Sequence, residues 1–315
     1  MGSPGPLAEI GDAPSLMDIN QREGSVNDFS EVAGLQRYPL ARRSLMMTGL
    51  ISGFTLATQR VEAQAIHTGS AGLDTGEVQI PVHDGHLPAF FARPASGTQF
   101  PVILVFEEIF GVHEYIKDVC RRFAHLGCMA VATEYYARAG DISKATDAKQ
   151  IMQDFVLKTP DAQYMADADA TAAWAGANKG DVSRLGVNGF CRGGRQTWLY
   201  AEHNPNLKAA VSWYGQLKTP TSPIQPKTVL ETMNQVKCPV LGLYGGKDPS
   251  NPLEAIHQAE AEARADHKTV EIVIYPDAPH GFHADYRPSY RQQAAEDGWN
   301  HAVAWFRRYR VLPAA

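Results

Sequence analysis

The chain has 315 residues, of which 44% are hydrophobic and 20% are charged, values typical of one large α/β domain or two smaller domains. Its formal net charge is −5 at pH 7, and this excess of acidic side chains argues against nucleic acid as a partner. No stretch contains the roughly 18 consecutive apolar residues that a membrane-spanning helix needs.

The N-terminal part differs in composition from the rest of the chain. Residues 1 to about 40 are rich in Gly, Pro, Ser, Asp and Glu, and are predicted to be disordered. Arg42 and Arg43 then precede a short, mildly apolar run at 48–57, which resembles a twin-arginine export leader. We therefore predict that residues 1–66 form a disordered extension with a cleavable leader, and that the protein is periplasmic or secreted. The alternative is an amphipathic helix that docks on the domain and is retained, in a cytoplasmic protein.

The remaining chain, residues 76–312, is predicted to form one domain in which strands alternate with helices. Strands are predicted at 77–82, 87–93, 100–106, 128–133, 184–187, 209–214, 239–244 and 269–275. Helices are predicted at 112–125, 143–157, 162–178, 195–203, 251–265 and 289–310. This alternation predicts a mostly parallel central sheet with helices on both faces.

A cysteine lies between two glycines at the junction of a predicted strand and a predicted helix. In Gly189-Phe190-Cys191-Arg192-Gly193, the glycines let the strand turn sharply into the helix, so that the middle side chain lies at the top of the sheet. This is the nucleophile-elbow pattern, with cysteine in place of the usual serine. The alternative is a Gly-rich turn with a buried thiol. Cys120, Cys128 and Cys238 lack C-x-x-C spacing and are predicted to be buried and inert.

Two further strand ends carry residues that can activate Cys191. The strand at 239–244 runs into Asp248, and the strand at 269–275 runs into His280. Nucleophile, acid and histidine therefore follow in the order found in α/β-hydrolases, although each of the last two could be an ordinary turn residue. His280 would take the thiol proton, and Asp248 would fix the tautomer of the imidazole.

An oxyanion formed in such a reaction needs hydrogen-bond donors that are already in place. The nucleophile elbow supplies one of them, the backbone N–H of Arg192, the residue that follows the nucleophile. The second donor is predicted to come from the loop at 107–111, which follows the strand at 100–106.

Five motifs together resemble the dienelactone hydrolase family of α/β-hydrolases over residues 76–310. They are Glu108-Ile109-Phe110-Gly111-Val112, Glu134-Tyr135-Tyr136-Ala137-Arg138, Gly189-Phe190-Cys191-Arg192-Gly193-Gly194, Gly245-Gly246-Lys247-Asp248 and His280-Gly281-Phe282. The resemblance implies an α/β-hydrolase fold and a cofactor-free hydrolase of a lactone or small carboxylic ester, with Cys191, Asp248 and His280 as its triad. It also implies that Glu108 lies beside Cys191 and either ionises or gates this thiol. By the same resemblance, the backbone N–H of Ile109 is the second oxyanion donor.

Substrate-binding roles are predicted for four residues, namely Tyr136, Arg138, Tyr214 and Arg287. Family members that act on dienelactone place an arginine soon after the His-x-Phe segment, to hold the substrate carboxylate. This chain has Ala284 at that position, and Arg287 is the candidate substitute. The missing arginine leaves open a second hypothesis, a non-catalytic binding protein with the same fold.

Two other functions are weaker alternatives. An activated thiolate is easily oxidised, so a redox sensor at Cys191 remains open, although no resolving cysteine lies near it in sequence. His280 and His283 could form a metal pair, but a zinc site needs at least three protein ligands, and we expect no metal. The sequence leaves the oligomeric state open.

Overall fold

The structure is a computed structural model that describes residues 35–36, 65–145 and 147–314. The predicted export leader, with Arg42 and Arg43, lies outside the described residues. Within the described part, no helix combines the length and the apolar character needed to cross a bilayer.

The predicted fold class is confirmed by a central eight-stranded sheet. Two short strands, β1 Leu35–Gln36 and β2 His67–Thr68, form a separate antiparallel pair. The main sheet contains β3 Leu73–Val82, β4 Gly85–Pro94, β5 Phe100–Phe106, β6 Met129–Thr133, β7 Gly180–Phe190, β8 Ala209–Trp213, β9 Val240–Gly245 and β10 Val270–Tyr275. Their order is β10-β9-β8-β7-β5-β6-β4-β3. The strands from β10 to β6 are parallel, and the hairpin of β3 and β4 continues the sheet in antiparallel fashion.

The helices cover both faces of this sheet. They are α1 Glu114–His125, α2 Ala148–Asp154, α3 Asp161–Ala177, α4 Arg192–His203, α5 Val229–Thr232, α6 Leu253–Ala265 and α7 Gln292–Arg308. Helices α3, α4 and α6 pack on one face, and α1 and α7 pack on the other. The continuous burial of β5 reflects this two-sided cover, because a strand between two helical layers exposes neither face to water.

The single helix predicted at 143–157 is wrong, because the chain breaks there into shorter turns. One-turn 3-10 helices at Ala137–Ala139, Ile142–Lys144 and Val156–Lys158 surround α2. The carboxylate of Asp147 accepts a hydrogen bond from Gln150 N at 2.9 Å, which starts α2 only at residue 148. Helix α5 was not predicted, since four residues are too few to show a helical period.

The order of the strands determines where in the sheet a ligand-binding site is expected. β6 lies on one side of β5 and β7 lies on the other, so the chain changes direction across the sheet between β5 and β7. Ligands in open α/β sheets bind beyond the carboxyl ends of the strands at such a switch point. Glu108 follows β5 and Cys191 follows β7 directly, so both lie at this crevice.

Candidate active site

The Cys191 backbone has the strained geometry of a nucleophile elbow. Its φ is 54° and its ψ is −115°, a region that costs a non-glycine residue about 1–3 kcal/mol. The flanking glycines permit this turn, since a Cβ on Gly189 would lie 2.3 Å from Gly193 O, and one on Gly193 would lie 2.4 Å from Glu107 O. Cys191 N donates to Trp213 O at 3.0 Å. The elbow therefore packs tightly between the ends of β5 and β8.

The four cysteines differ in accessibility. Cys120, Cys128 and Cys238 are buried, whereas Cys191 is half-buried. Burial raises the pKa of the thiols of Cys120 and Cys128 well above the usual range, and that of Cys238 to about 12. The prediction that these three thiols are buried is confirmed, and an un-ionised thiol is a poor nucleophile.

The structure brings His280 and Asp248 together as the sequence predicted. His280 Nδ1 lies 2.8 Å from Asp248 Oδ2, and Ser250 Oγ lies 3.1 Å from the same nitrogen. Asp248 also accepts hydrogen bonds from Ser250 N at 2.8 Å, Ser250 Oγ at 2.6 Å and Asn251 Nδ2 at 3.1 Å. These donors hold the Asp248 carboxylate in one orientation. The carboxylate in turn fixes the orientation of the His280 imidazole.

The electrostatics of this pair favour a charged imidazole. Burial of the ring lowers the pKa of His280, but the charge of Cys191 and the hydrogen bonds to Asp248 and Cys191 outweigh burial and raise the pKa to about 10. Burial likewise opposes ionisation of Asp248, yet its hydrogen bonds and the charge of His280 hold the pKa of this carboxyl below its usual value. The imidazolium of His280 is therefore stabilised by the charges of both Cys191 and Asp248.

Glu108 lies in the crevice, but its carboxylate is held by other side chains. Tyr286 donates its hydroxyl to Glu108 Oε2 at 2.6 Å, and Arg287 Nη1 donates to Oε1 at 3.3 Å. His113 Nε2 lies 3.9 Å from Oε2. No described hydrogen bond joins Glu108 to Cys191, and its predicted role in ionising or gating the nucleophile remains a prediction.

The four predicted substrate-binding residues are placed differently. Tyr136 is buried, and its hydroxyl lacks a hydrogen-bond partner among the described residues. The ring of Tyr214 meets that of His280 edge to face at 5.0 Å. Arg138 donates to Asp84 at 2.9 Å and is also paired with Asp167, and no described contact brings it to Cys191 or His280.

The metal pair considered for His280 and His283 does not form. His280 faces Asp248, while His283 Nδ1 lies 2.6 Å from the Tyr115 hydroxyl and its ring stacks on Phe190. Among the described residues, no group of three or more His, Cys, Asp or Glu side chains is arranged to hold a metal ion.

Sequence reasoning named Arg192 only for its backbone N–H and missed its side chain. The guanidinium is buried, donates to Gln225 Oε1 at 2.7 Å, and leaves its Nε without a partner in the described part of the chain. Burial and the charge of Arg195 lower the pKa of Arg192. Arg195 Nη1 forms a salt bridge with Asp161 Oδ1 at 2.7 Å, whereas no described carboxylate is bonded to Arg192. The burial of this side chain carries no signal in the sequence.

The family profile described as "Dienelactone hydrolase family" matches residues 87–310. The chain belongs to the dienelactone hydrolase family. This membership confirms the prediction of a dienelactone hydrolase-like lactone or ester hydrolase.

Individual relatives cover most of the chain. A Methylorubrum extorquens protein named "Putative carboxymethylenebutenolidase" is 53% identical over 274 residues, which are 86% of this chain and 94% of the relative. A Salmonella typhimurium protein of the same name is 46% identical over 84% of this chain and 98% of its own. The crystal structure of a "Putative Dienelactone Hydrolase" from Klebsiella pneumoniae superposes with a TM-score of 0.74 at 47% identity, covering 75% of this chain and 99% of that one.

Proposed function

We propose that this family member cleaves a lactone or small carboxylic ester with Cys191 as its nucleophile, through a thioester acyl-enzyme. The observation that carries the proposal is the His280–Asp248 pair, in which Nδ1 and Oδ2 are 2.8 Å apart, together with the electrostatic interaction of this imidazole with the elbow thiol of Cys191. An imidazole held by a carboxylate can accept the thiol proton and leave a thiolate, the form of cysteine that attacks carbonyls.

The first half of the reaction follows from these positions. His280 takes the proton of Cys191, and the thiolate sulfur bonds to the carbonyl carbon, whose π electrons move to oxygen. The backbone N–H groups of Ile109 and Arg192 donate to this oxyanion. Arg192 is the first residue of α4, where N–H groups have no partner within the helix. When the oxyanion collapses, the C–O bond to the leaving alcohol breaks and His280 returns its proton to the alcohol oxygen.

The second half regenerates the enzyme. A water molecule gives a proton to His280 and its oxygen bonds to the thioester carbon. Collapse of the second oxyanion breaks the C–S bond, and the Cys191 thiolate leaves with the imidazolium beside it. Two cations, Arg192 and Arg287, interact electrostatically with the charge of Cys191 and so favour its thiolate.

Replacing Cys191 by alanine tests the proposal. Cys191→Ala should abolish hydrolysis of a short p-nitrophenyl ester while circular dichroism and melting temperature stay near those of the wild type. Rapid quenching of the wild type should give a mass increase equal to the acyl group, located on Cys191 by peptide mapping. Full activity in Cys191→Ala would exclude the mechanism, and an inactive wild type over a panel of esters and lactones would favour the binding-protein hypothesis.

A further inference from the structure

Glu107, the residue between β5 and Glu108, is a buried carboxyl that the proposed mechanism does not use. Its exposed fraction is 0%. Its Oε1 accepts a hydrogen bond from Tyr135 N at 3.0 Å, but its Oε2 is buried and no described donor faces it. A carboxylate oxygen left in this way would lose its hydration without compensation, at a cost comparable to other buried unpaired charges.

The neighbour of Glu107 is a second carboxyl, Glu134, which follows β6. Glu107 Oε1 is bonded to the backbone N–H of Tyr135, the residue after Glu134, so the two carboxyls are neighbours and the charge of Glu134 acts on Glu107. Two carboxylates are both acceptors, so a hydrogen bond between them requires a proton. Burial, and then the charge of Glu134, raise the pKa of Glu107 well above its usual value. A proton on the unpaired oxygen of Glu107 would give that oxygen a partner, because it could then donate to Glu134.

Glu134 in turn holds the loop that carries the predicted oxyanion donor. Its Oε1 accepts a hydrogen bond from Val112 N at 2.9 Å. Gly111 has a φ of +79°, and a Cβ there would lie 2.8 Å from Glu134 Oε2. The carboxylate thus packs directly on the backbone of the loop, and only glycine permits this approach.

We propose that Glu107 and Glu134 share one proton, and that this shared proton positions the loop at 108–112 so that Ile109 N–H faces the developing oxyanion. Both carboxyls are positioning residues, since neither is placed to touch the substrate. The catalytic half of the proposal rests on the proposed function, whereas the shared proton is a property of the fold alone.

The pair should make the protein sensitive to pH. A carboxyl whose pKa is raised by folding contributes stability that is fully present below its unfolded pKa and is lost as the pH rises through its folded value. The groups that act on the pair are Tyr135, Tyr136 and Tyr164 around Glu107, and Lys117 and Asp141 around Glu134. Only Lys117 among them is a cation. Removal of the shared proton would therefore leave two adjacent anions with little compensation.

Glu107→Gln is the decisive variant, because an amide donates to Glu134 without needing a proton. The infrared difference spectrum of wild type minus Glu107→Gln, for the full chains at pH 7, should show the carbonyl band of one protonated carboxyl, over and above the contribution of Glu202, whose pKa is raised to about 7 in both proteins. The wild-type melting temperature should fall more steeply than that of Glu107→Gln as the pH rises from 5 to 9. A difference spectrum without this band, or equal slopes, would overturn the proposal.

Glu107→Leu and Glu134→Gln complete the experiment. Glu107→Leu keeps the bulk but removes the donor, so kcat for an ester should fall at least about tenfold with little change in KM, because an oxyanion donor acts in the transition state. Glu134→Gln can accept from Val112 and donate to Glu107, so it should keep kcat within about threefold and lose the same infrared intensity as Glu107→Gln. A Glu107→Leu protein with wild-type kcat would refute the positioning role. If Cys191→Ala were active, the proposed function would fail while the infrared and melting tests still decided the shared proton.

Discussion

The role of Asp248 can be tested by the substitution Asp248→Asn, which keeps the size of the side chain and removes its charge. The Asp248 side chain is fully buried, while that of His280 is 23% exposed. An asparagine that kept the Ser250 contacts on its oxygen would turn its NH₂ group toward His280 Nδ1, where the wild type has an acceptor. The imidazole would then accept at Nδ1 and carry its proton on Nε2, the wrong tautomer to take a proton from Cys191.

The magnitude follows from the contacts that remain. Ser250 Oγ, 3.1 Å from His280 Nδ1, can accept in place of the carboxylate and restore part of the correct tautomer. We expect kcat/KM to fall by about 10³-fold, in the middle of the range for general-base catalysis, which corresponds to about 4 kcal/mol. The free energy of unfolding should fall by about 1–3 kcal/mol, since a charge-assisted buried hydrogen bond is lost.

The pH dependence gives an independent test with a fixed sign. The pKa of His280 is raised to about 10, so the imidazolium persists through neutral pH and the activity limb that reports its deprotonation lies at alkaline pH. Without the Asp248 charge the ring should lose its proton at lower pH, so this limb should move in the acid direction. The assay is p-nitrophenyl ester hydrolysis from pH 5 to 11, with iodoacetamide labelling of Cys191 measured over the same range.

Ser250→Ala is the matched control. It removes the hydroxyl that lies near His280 and donates to Asp248 at 2.6 Å, but it leaves the carboxylate in place, so its loss of kcat/KM should stay below about tenfold. An Asp248→Asn protein within threefold of wild type, with its alkaline limb unmoved, would refute the triad as argued.

Two further predictions concern Glu108 and the N-terminus. Glu108→Gln should lower turnover roughly 10²-fold with the triad still assembled, and should alter the pH dependence of iodoacetamide labelling at Cys191; if neither changes, Glu108 only anchors Tyr286 and Arg287. We also propose that the N-terminal segment is an export leader, so N-terminal sequencing of the native protein should begin near residues 64–66. Replacement of Arg42 and Arg43 by lysine should then retain the full-length chain in the cytoplasm, and recovery of intact Met1 from unmodified cells would contradict export.

Most strands were predicted within one or two residues because their signal is local. The apolar run at 100–106 coincides with β5, since a strand buried on both faces must be apolar throughout. The helix predicted at 143–157 failed for a related reason. The actual structure there is set by capping at Asp147 and by packing against the domain, neither of which appears as a period in the sequence.

The sequence by itself determined the elbow at Cys191 and the order of Cys191, Asp248 and His280. Glycine spacing controls backbone sterics over a few residues, and the carboxyl ends of parallel strands necessarily meet at one edge. Only the tertiary structure decided which charges face one another. Glu108 is bound by Tyr286 and Arg287, which lie 178 and 179 positions away. The charge of Glu134, which follows β6, acts on Glu107, which follows β5. Such contacts set hydrogen bonding and desolvation, and both depend on distances that spacing along a chain does not determine.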